Sequence, residues 1–487
     1  MKNISYTIKF LLVATVLSLL PVAVGVSPLD YKGSSLQAAD DDKKKKKKRR
    51  RTKLPSKKLL RILHALTPLV EAEQWDEALL ALEPVSVADS KFTSTDRSKM
   101  FYYQGYIYFS QEKYNQAERA YKDLIAEPDS TDQERQNSLF SLAQLRYIDE
   151  DYKNAIQYLQ EWIQGEEEPG ADAYGLIAQA YYQLEKFQES VDAIDTAIQI
   201  QESRDIAIKV AVLDEEGNET GEMIETGETK KGVAKENHYL LKMALYSELK
   251  KELEVLPIYE ILVQHYPKKR YWTNLSGLYG QKDRQLDQMA ALEAAYDDRL
   301  LDKQREFTAL SQLLFMFENP RKAARVIEDG INQGVVKKEE KTLKAAAQYW
   351  HASKELERAK PYYKQAAQKA KEGEIYIFLG QVHFSLDEFN EAEDAIKLGI
   401  EKGKLKDEAA AYMLLGQINF ENQRWEPAID AFRKCIDVAE KQFDDKKKKQ
   451  KEKKKRVQDQ ARKWVTYTEG EEERVEALKL KRKALGV

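Results

Sequence analysis

Residues 423–432 read QRWEPAIDAF, with Trp425, Ala428 and Phe432 spaced three and four apart. The same phrase returns as QWDEALLAL at 74–82, KYNQAERAY at 113–121, DYKNAIQYL at 151–159, KFQESVDAI at 186–194 and EFNEAEDAI at 388–396. A small residue sits about twelve positions before the central residue of each of the last five phrases: Gly105, Ala143, Ala178, Gly380 and Gly416. Aligned along the whole chain, that landmark falls at Leu66, Gly105, Ala143, Ala178, Ala244, Ser276, Ser311, Ala347, Gly380 and Gly416. Apart from one jump of 66, the steps lie between 32 and 39 residues. A fixed internal period outranks local propensity, because each repeat is one supersecondary unit that needs its neighbours to bury its apolar face.

The period, with W-x-x-L-G-x-x-Y in a first helix and A-x-x-x-F in a second, carries the tetratricopeptide signature. WTNLSGLY at 272–279 and YMLLG at 412–416 show the first half clearly. Trp272, Leu275 and Tyr279 stand at i, i+3 and i+7, which is one face of a helix. Gly or Ala at the landmark lets the two helices of a unit approach closely, and the aromatic that opens the second helix fills the gap where they diverge. The expected fold is all-α: a superhelical solenoid of about ten helix pairs, arrayed over 59–200 and 237–440, whose stability comes from stacking.

The 66-residue jump holds IAIKVAVLDEEGNETGEMIETGE from Ile206, where Ile206, Ile208, Val210 and Val212 alternate before Gly217 and Asn218. Period two followed by turn chemistry predicts a β-hairpin inserted over 201–236. Beyond the last unit, 441–487 reads as a Lys-rich helical tail whose Trp464 and Tyr467 cap the open end of the stack.

The 487 residues carry 79 basic and 82 acidic side chains. Two runs, KKKKKKRRR at 43–51 and KKKKQKEKKKR at 446–456, hold 18 of the basic groups and one acid, so the remainder carries a formal charge of −20. Solvated tails are the plain reading of such runs, and contact with an anionic membrane surface is the sharper one. Neither run is interleaved with aromatics or joined to a nucleic-acid-binding fold, which argues against nucleic acid as a partner. Lys2 and Lys9 precede an apolar stretch from Phe10 to Val26, broken by Pro21. It reads as a secretory signal within 1–38, followed by a basic segment over 39–58, and so predicts a periplasmic protein. The alternative is an uncleaved inner-membrane anchor whose basic run keeps a cytoplasmic assembly factor inside.

No catalytic constellation is legible. The single Cys435 offers neither a disulfide nor a Cys-based metal site, and His64, His238, His265, His351 and His383 lack metal-ligand spacing. No phosphate-cradling glycine loop and no nucleophile elbow occur. The expected protein is not an enzyme, with no cofactor and no metal. A binding groove is the better candidate. The residue after each landmark and the one three later read Tyr106 and Phe109, Gln144 and Tyr147, Gln179 and Tyr182, Gln312 and Phe315, Gln348 and His351, Gln381 and Phe384, Gln417 and Phe420. Six glutamines thus share one repeat position, each followed by a ring. An amide can donate to and accept from an extended peptide while the ring supplies apolar contact; packing between neighbouring repeats is the competing use. Leu245 with Glu248, and Gly277 with Gly280, interrupt the ladder.

SLFSLAQLRYIDEDYKNAIQYLQEW at 138–162, KENHYLLKMALYSELKK at 235–251 and especially KKRYWTNLSGLYGQKDRQLDQMAALEAAYDDRLL at 268–301 resemble a family of exported bacterial tetratricopeptide proteins associated with TonB energy-transduction systems. The likeness continues through NPRKAARVIEDGINQGVV at 319–336 and ARKWVTY at 461–467, covering roughly 95–467. The resemblance implies a periplasmic scaffold whose partners are TonB-complex components, and it transfers no functional residues. The hairpin and the two Lys-rich runs depart from that family.

Overall fold

The computed structural model describes residues 53–85, 91–214, 219–444 and 447–485. The signal segment at 1–38, the basic run at 43–51, the hairpin turn at Gly217 and Asn218, and Lys446 lie outside the described residues.

Small landmark residues decide how the helices pair. A Cβ built on Gly105 would lie 2.5 Å from the Tyr121 ring, and one on Gly416 would lie 2.4 Å from the Phe432 ring. On Gly380 it would meet Ile396 at 2.5 Å. In each case the opposing side chain stands sixteen positions on, in the second helix of the same repeat. Absence of a side chain at the landmark is therefore what admits a large apolar group into the crossing.

Among the described residues ten helix pairs form, five in each of two compact units. In the first unit, up to Tyr266, they are Lys57–Glu71 with Trp75–Leu82, Ser94–Ser110 with Tyr114–Ala126, Asp132–Ile148 with Tyr152–Gly165, Ala171–Gln183 with Phe187–Ser203, and Glu236–Glu248 with Leu256–His265. In the second, from Pro267, they are Lys269–Gln281 with Gln285–Asp297, Gln304–Met316 with Pro320–Asn332, Glu340–Ala352 with Leu356–Lys369, Glu374–Ser385 with Phe389–Lys402, and Glu408–Glu421 with Trp425–Gln442. A last helix, Lys448–Leu485, packs on Trp425–Gln442. Within each unit the second helix of one pair packs on the first helix of the next. Bonds at about the repeat spacing tie neighbours together: Tyr362 donates its hydroxyl to Glu328 at 2.8 Å, and the Asn422 amide donates to Asn390 Oδ1 at 2.9 Å.

Each pair turns through one residue in the left-handed region, and in all ten it is charged or an amide: Glu73, Glu112, Glu150, Glu185, Lys250, Asp283, Glu318, Lys354, Asp387 and Gln423. The next residue's N–H reaches back to a carbonyl five positions earlier, as Asp151 does to Arg146 at 2.8 Å, which closes a Schellman-type end. A side chain at positive φ costs roughly 1–2 kcal/mol, and glycine escapes it. Glu150→Gly, at φ 59°, is therefore expected to stabilise the first unit by about 0.5–1 kcal/mol after the larger unfolded-state entropy of glycine is subtracted. A raised midpoint in denaturant unfolding checks it; a lowered one would mean the Glu150 side chain has a role of its own.

The insertion is a two-stranded antiparallel hairpin, Asp205–Leu213 with Glu219–Lys231, pairing Val210 with Ile224 and Asp205 with Lys231 across two irregularities in register. Its base is tied down. Gly232 N–H donates to Arg204 O at 2.8 Å, Tyr266 donates its hydroxyl to Ala234 O at 2.7 Å, and Tyr239 hydrogen-bonds Glu202. The blade itself is solvated on both faces, with Ile206, Val210, Met223 and Ile224 about half exposed.

Candidate functional site

The first helix of each repeat carries the ladder, and its rings are already engaged. Phe109 meets Tyr114, Tyr147 meets Tyr152, Tyr182 meets Phe187, Phe384 meets Phe389 and Phe420 meets Trp425, with centroids 5.2–6.0 Å apart. The second ring of every pair is the one that opens the second helix of that repeat. One face of each ladder ring is thus spent on closing its own helix pair, at about 0.5–1.5 kcal/mol beyond area burial. Tyr106 instead packs edge-on to Trp75 of the preceding repeat at 6.2 Å, and Phe315 lies against Tyr349 of the following one at 4.7 Å. His351 is edge-on to Tyr363, with its Nδ1 3.4 Å from the hydroxyl.

Burial separates the ladder positions. Gln144, Tyr147, Gln179 and Tyr182 are buried in the first unit, where Tyr106 and Phe109 are half-buried. Burial pushes the Tyr147 hydroxyl up to about 12. In the second unit Gln348, His351, Gln381, Phe384, Gln417 and Phe420 are half-buried, while Gln312 and Phe315 are exposed. Burial also lowers the His351 pKa, with the Lys354 charge adding to it. The second unit therefore offers the ladder's accessible amides. Gln179 is distinct: its carboxamide oxygen is buried with no hydrogen-bond partner.

The ladder ends under the last helix. Trp464 and Tyr467 each approach Phe420 at 5.4 Å, and Trp464 stacks on Phe432 at 5.5 Å with an interplanar angle of 15°. These two rings place an apolar lid over the tenth repeat.

Residues 379–440 match the tetratricopeptide repeat family. The chain folds as an all-α tetratricopeptide-repeat solenoid. Residues 117–197 of this repeat protein match the family described as anaphase-promoting complex, cyclosome, subunit 3. No curated protein matches the sequence. Among solved structures, a tetratricopeptide repeat protein from Parabacteroides merdae is similar at 12% identity, over 56% of this chain and 93% of its own, with a TM-score of 0.30. MamA is similar at 15% identity over 40% and 94%, with a TM-score of 0.28. YrrB, a repeat protein with an unusual peptide-binding site, is similar at 14% identity over 38% and 93%, with a TM-score of 0.31. Scores this low carry no argument, and the assignment rests on the ten helix pairs and the family matches.

Among the described residues, no group of three or more His, Cys, Asp or Glu side chains is placed to hold a metal, and no helix is long and apolar enough to cross a membrane. Cys435 is buried, and burial pushes its thiol up to about 11. What the ladder reading missed is His238. It is buried near the foot of the hairpin against Gly175, which stands 63 residues earlier in the chain, and its Nδ1 has no partner. Spacing in sequence carried no sign of that contact.

Proposed function

We propose that this repeat protein is a non-enzymatic, periplasmic protein-binding scaffold, an accessory of a TonB-dependent transport system whose first helices receive extended segments of TonB-complex proteins. The observation that carries the binding part is the row of half-buried amides Gln348, Gln381 and Gln417, one per repeat, each beside a ring. Amides in such a row offer both donor and acceptor to a peptide backbone. The address and the partner rest on the apolar segment from Phe10 to Val26 and on the family likeness centred on 268–301. Outward-facing Lys448, Lys451 and Lys455 on the last helix favour peripheral contact with anionic lipid, each contributing about 1 kcal/mol near such a surface.

A periplasm-active reporter fused to the C-terminus, with crosslinking and identification of bound proteins in the same strain, tests the reading. Reporter activity with TonB-complex components captured is the expected result. An inactive reporter with cytoplasmic partners would overturn it in favour of a membrane-anchored assembly factor held inside by its basic run.

Gln179 separates packing from binding. Its unpaired buried oxygen costs about 1–3 kcal/mol, and methionine fills similar volume without it. Gln179→Met is expected to stabilise the first unit by about 1 kcal/mol and to leave partner capture unchanged, because the buried amide is out of a partner's reach. Capture that weakens with stability raised would put this amide in the binding surface and not in the packing.

A further inference from the structure

The last helix carries one stripe at alternating steps of three and four. Its first half is Lys454, Val457, Ala461, Trp464 and Thr468, and this half is covered. Lys454, Ala461 and Thr468 are buried, Val457 and Ala461 pack with Cys435 and Ala439, and Lys454 Nζ lies 2.9 Å from Glu440. The stripe does not stop there. Glu471, Val475, Leu478, Arg482 and Leu485 continue it at steps of three, four, three, four and three. Among the described residues, the last ion pair from this helix to the repeats is Arg433–Glu469 at 3.2 Å. Beyond it Leu478 is 44% exposed and Leu485 68%. A 3.5-residue period on which apolar residues predominate, here Val457, Ala461, Trp464, Val475, Leu478 and Leu485 with Lys454, Glu471 and Arg482 among them, is the seam of a helix that packs on another helix. Here the first half of one continuous seam is covered by the repeats, and among the described residues the second half passes from half-buried Glu471 and Val475 to exposed Leu478 and Leu485.

Charge says what fits the open half. Residues 471–476 read EEERVE and residues 479–483 read KLKRK, acidic then basic along a single helix. Within one copy Arg474 holds the Glu471 carboxylate on the seam at 2.6 Å. Two such helices laid parallel would set Glu471 on Glu471 and Arg482 on Arg482. Laid antiparallel, one register sets Val475 against Leu478 and Glu471 against Arg482 of the second copy, with the acidic half of each helix along the basic half of the other. The segment is complementary to itself when antiparallel, and self-complementarity is the requirement for a two-fold contact.

We propose that residues 471–485 pair antiparallel with the same residues of a second copy, joining two repeat arrays into a reversible dimer. Two arrays on one particle would raise the apparent affinity for any partner that presents two copies of its recognised segment.

Sedimentation equilibrium of the full chain, from low- to high-micromolar protein, tests it. The expected wild-type mass climbs toward twice that of the chain. Truncation after Gly470 and Leu478→Glu each hold it at one chain, with the melting curve little changed, because among the described residues the ion pair nearest this end that ties the helix to the repeats is Arg433–Glu469, before the cut. Glu471→Arg and Arg482→Glu singly weaken the dimer about tenfold, and the two changes together in one chain restore it. A wild-type chain that stays monomeric, a dimer that survives the truncation, or a double charge exchange that fails to restore pairing would each overturn the proposal.

Discussion

Gly416→Val is expected to destabilise the second unit by about 3 kcal/mol or more, the upper end of what overpacking costs. The first added carbon alone would sit 2.4 Å from Cε1 and 2.5 Å from Cδ1 of Phe432. The ring cannot swing aside, because it is fully buried and Trp464 of the last helix stacks on it. Helix propensity works the other way, since glycine in a helix interior costs roughly 0.5–1 kcal/mol relative to alanine, but that gain is small beside the overlap. Shortening the ring should relieve the clash, so Gly416→Val with Phe432→Leu is expected to lose much less than the two single changes summed. Denaturant midpoints of the four proteins give the coupling. Strict additivity would mean that the helices separate instead of competing for one volume, and that the landmark does not set the crossing.

The same pair explains what was legible. The small landmark Gly416 signalled a close approach of the two helices of its repeat, and that approach forms, with Phe432 sixteen residues on packed over it. Period-two apolar spacing from Ile206 gave the hairpin strands, yet it carried no information about what covers them, and both faces are open. The turns were not legible. Ten left-handed residues close ten helix pairs, and every one is charged or an amide where glycine or asparagine is the usual signal. The repeat enforces that geometry through packing on both sides, and packing leaves no mark on the turn residue itself. The ladder was legible as positions but not as environments. Gln179 and Gln417 occupy equivalent places, one buried with an unpaired oxygen and the other half-buried. In the last helix, a run of lysines hid a regular seam, because the charged residues that dominate its composition mostly lie off the stripe.

Acid should loosen the foot of the hairpin. His238 follows the second strand by seven residues and is buried against Gly175, with Nε2 3.0 Å from where a Cβ would stand. Burial and then the Lys235 charge lower its pKa from 6.5 to about 4, against a smaller opposing pull from Asp172. The sign follows from which state takes the proton first. The unfolded chain protonates this imidazole near pH 6.5 while the folded chain refuses it until about pH 4, so stability is full above about 6.5, falls between the two values and is flat below the lower one. At 1.36 kcal/mol per unit the loss across that window is about 3 kcal/mol. His238→Gln removes the titration, and subtracting its pH profile from that of the parent cancels the carboxylates that titrate in both. The expected difference is a step confined to pH 4–6.5, read as unfolding free energy of the first unit. Lys235 bridges Asp172 at 2.6 Å on the exposed side of the buried imidazole, so a charged His238 would place two cations near one carboxylate. The strands are held at that end by the bonds of Gly232, Ala234 and Tyr239 and by Lys231 and Lys235, which donate to Ser203 O and Gln201 Oε1, and the first observable consequence of protonation should be faster amide exchange over 205–231, ahead of the repeats. Exchange that rises first in the helix pairs would show that His238 guards the stack and not the hairpin.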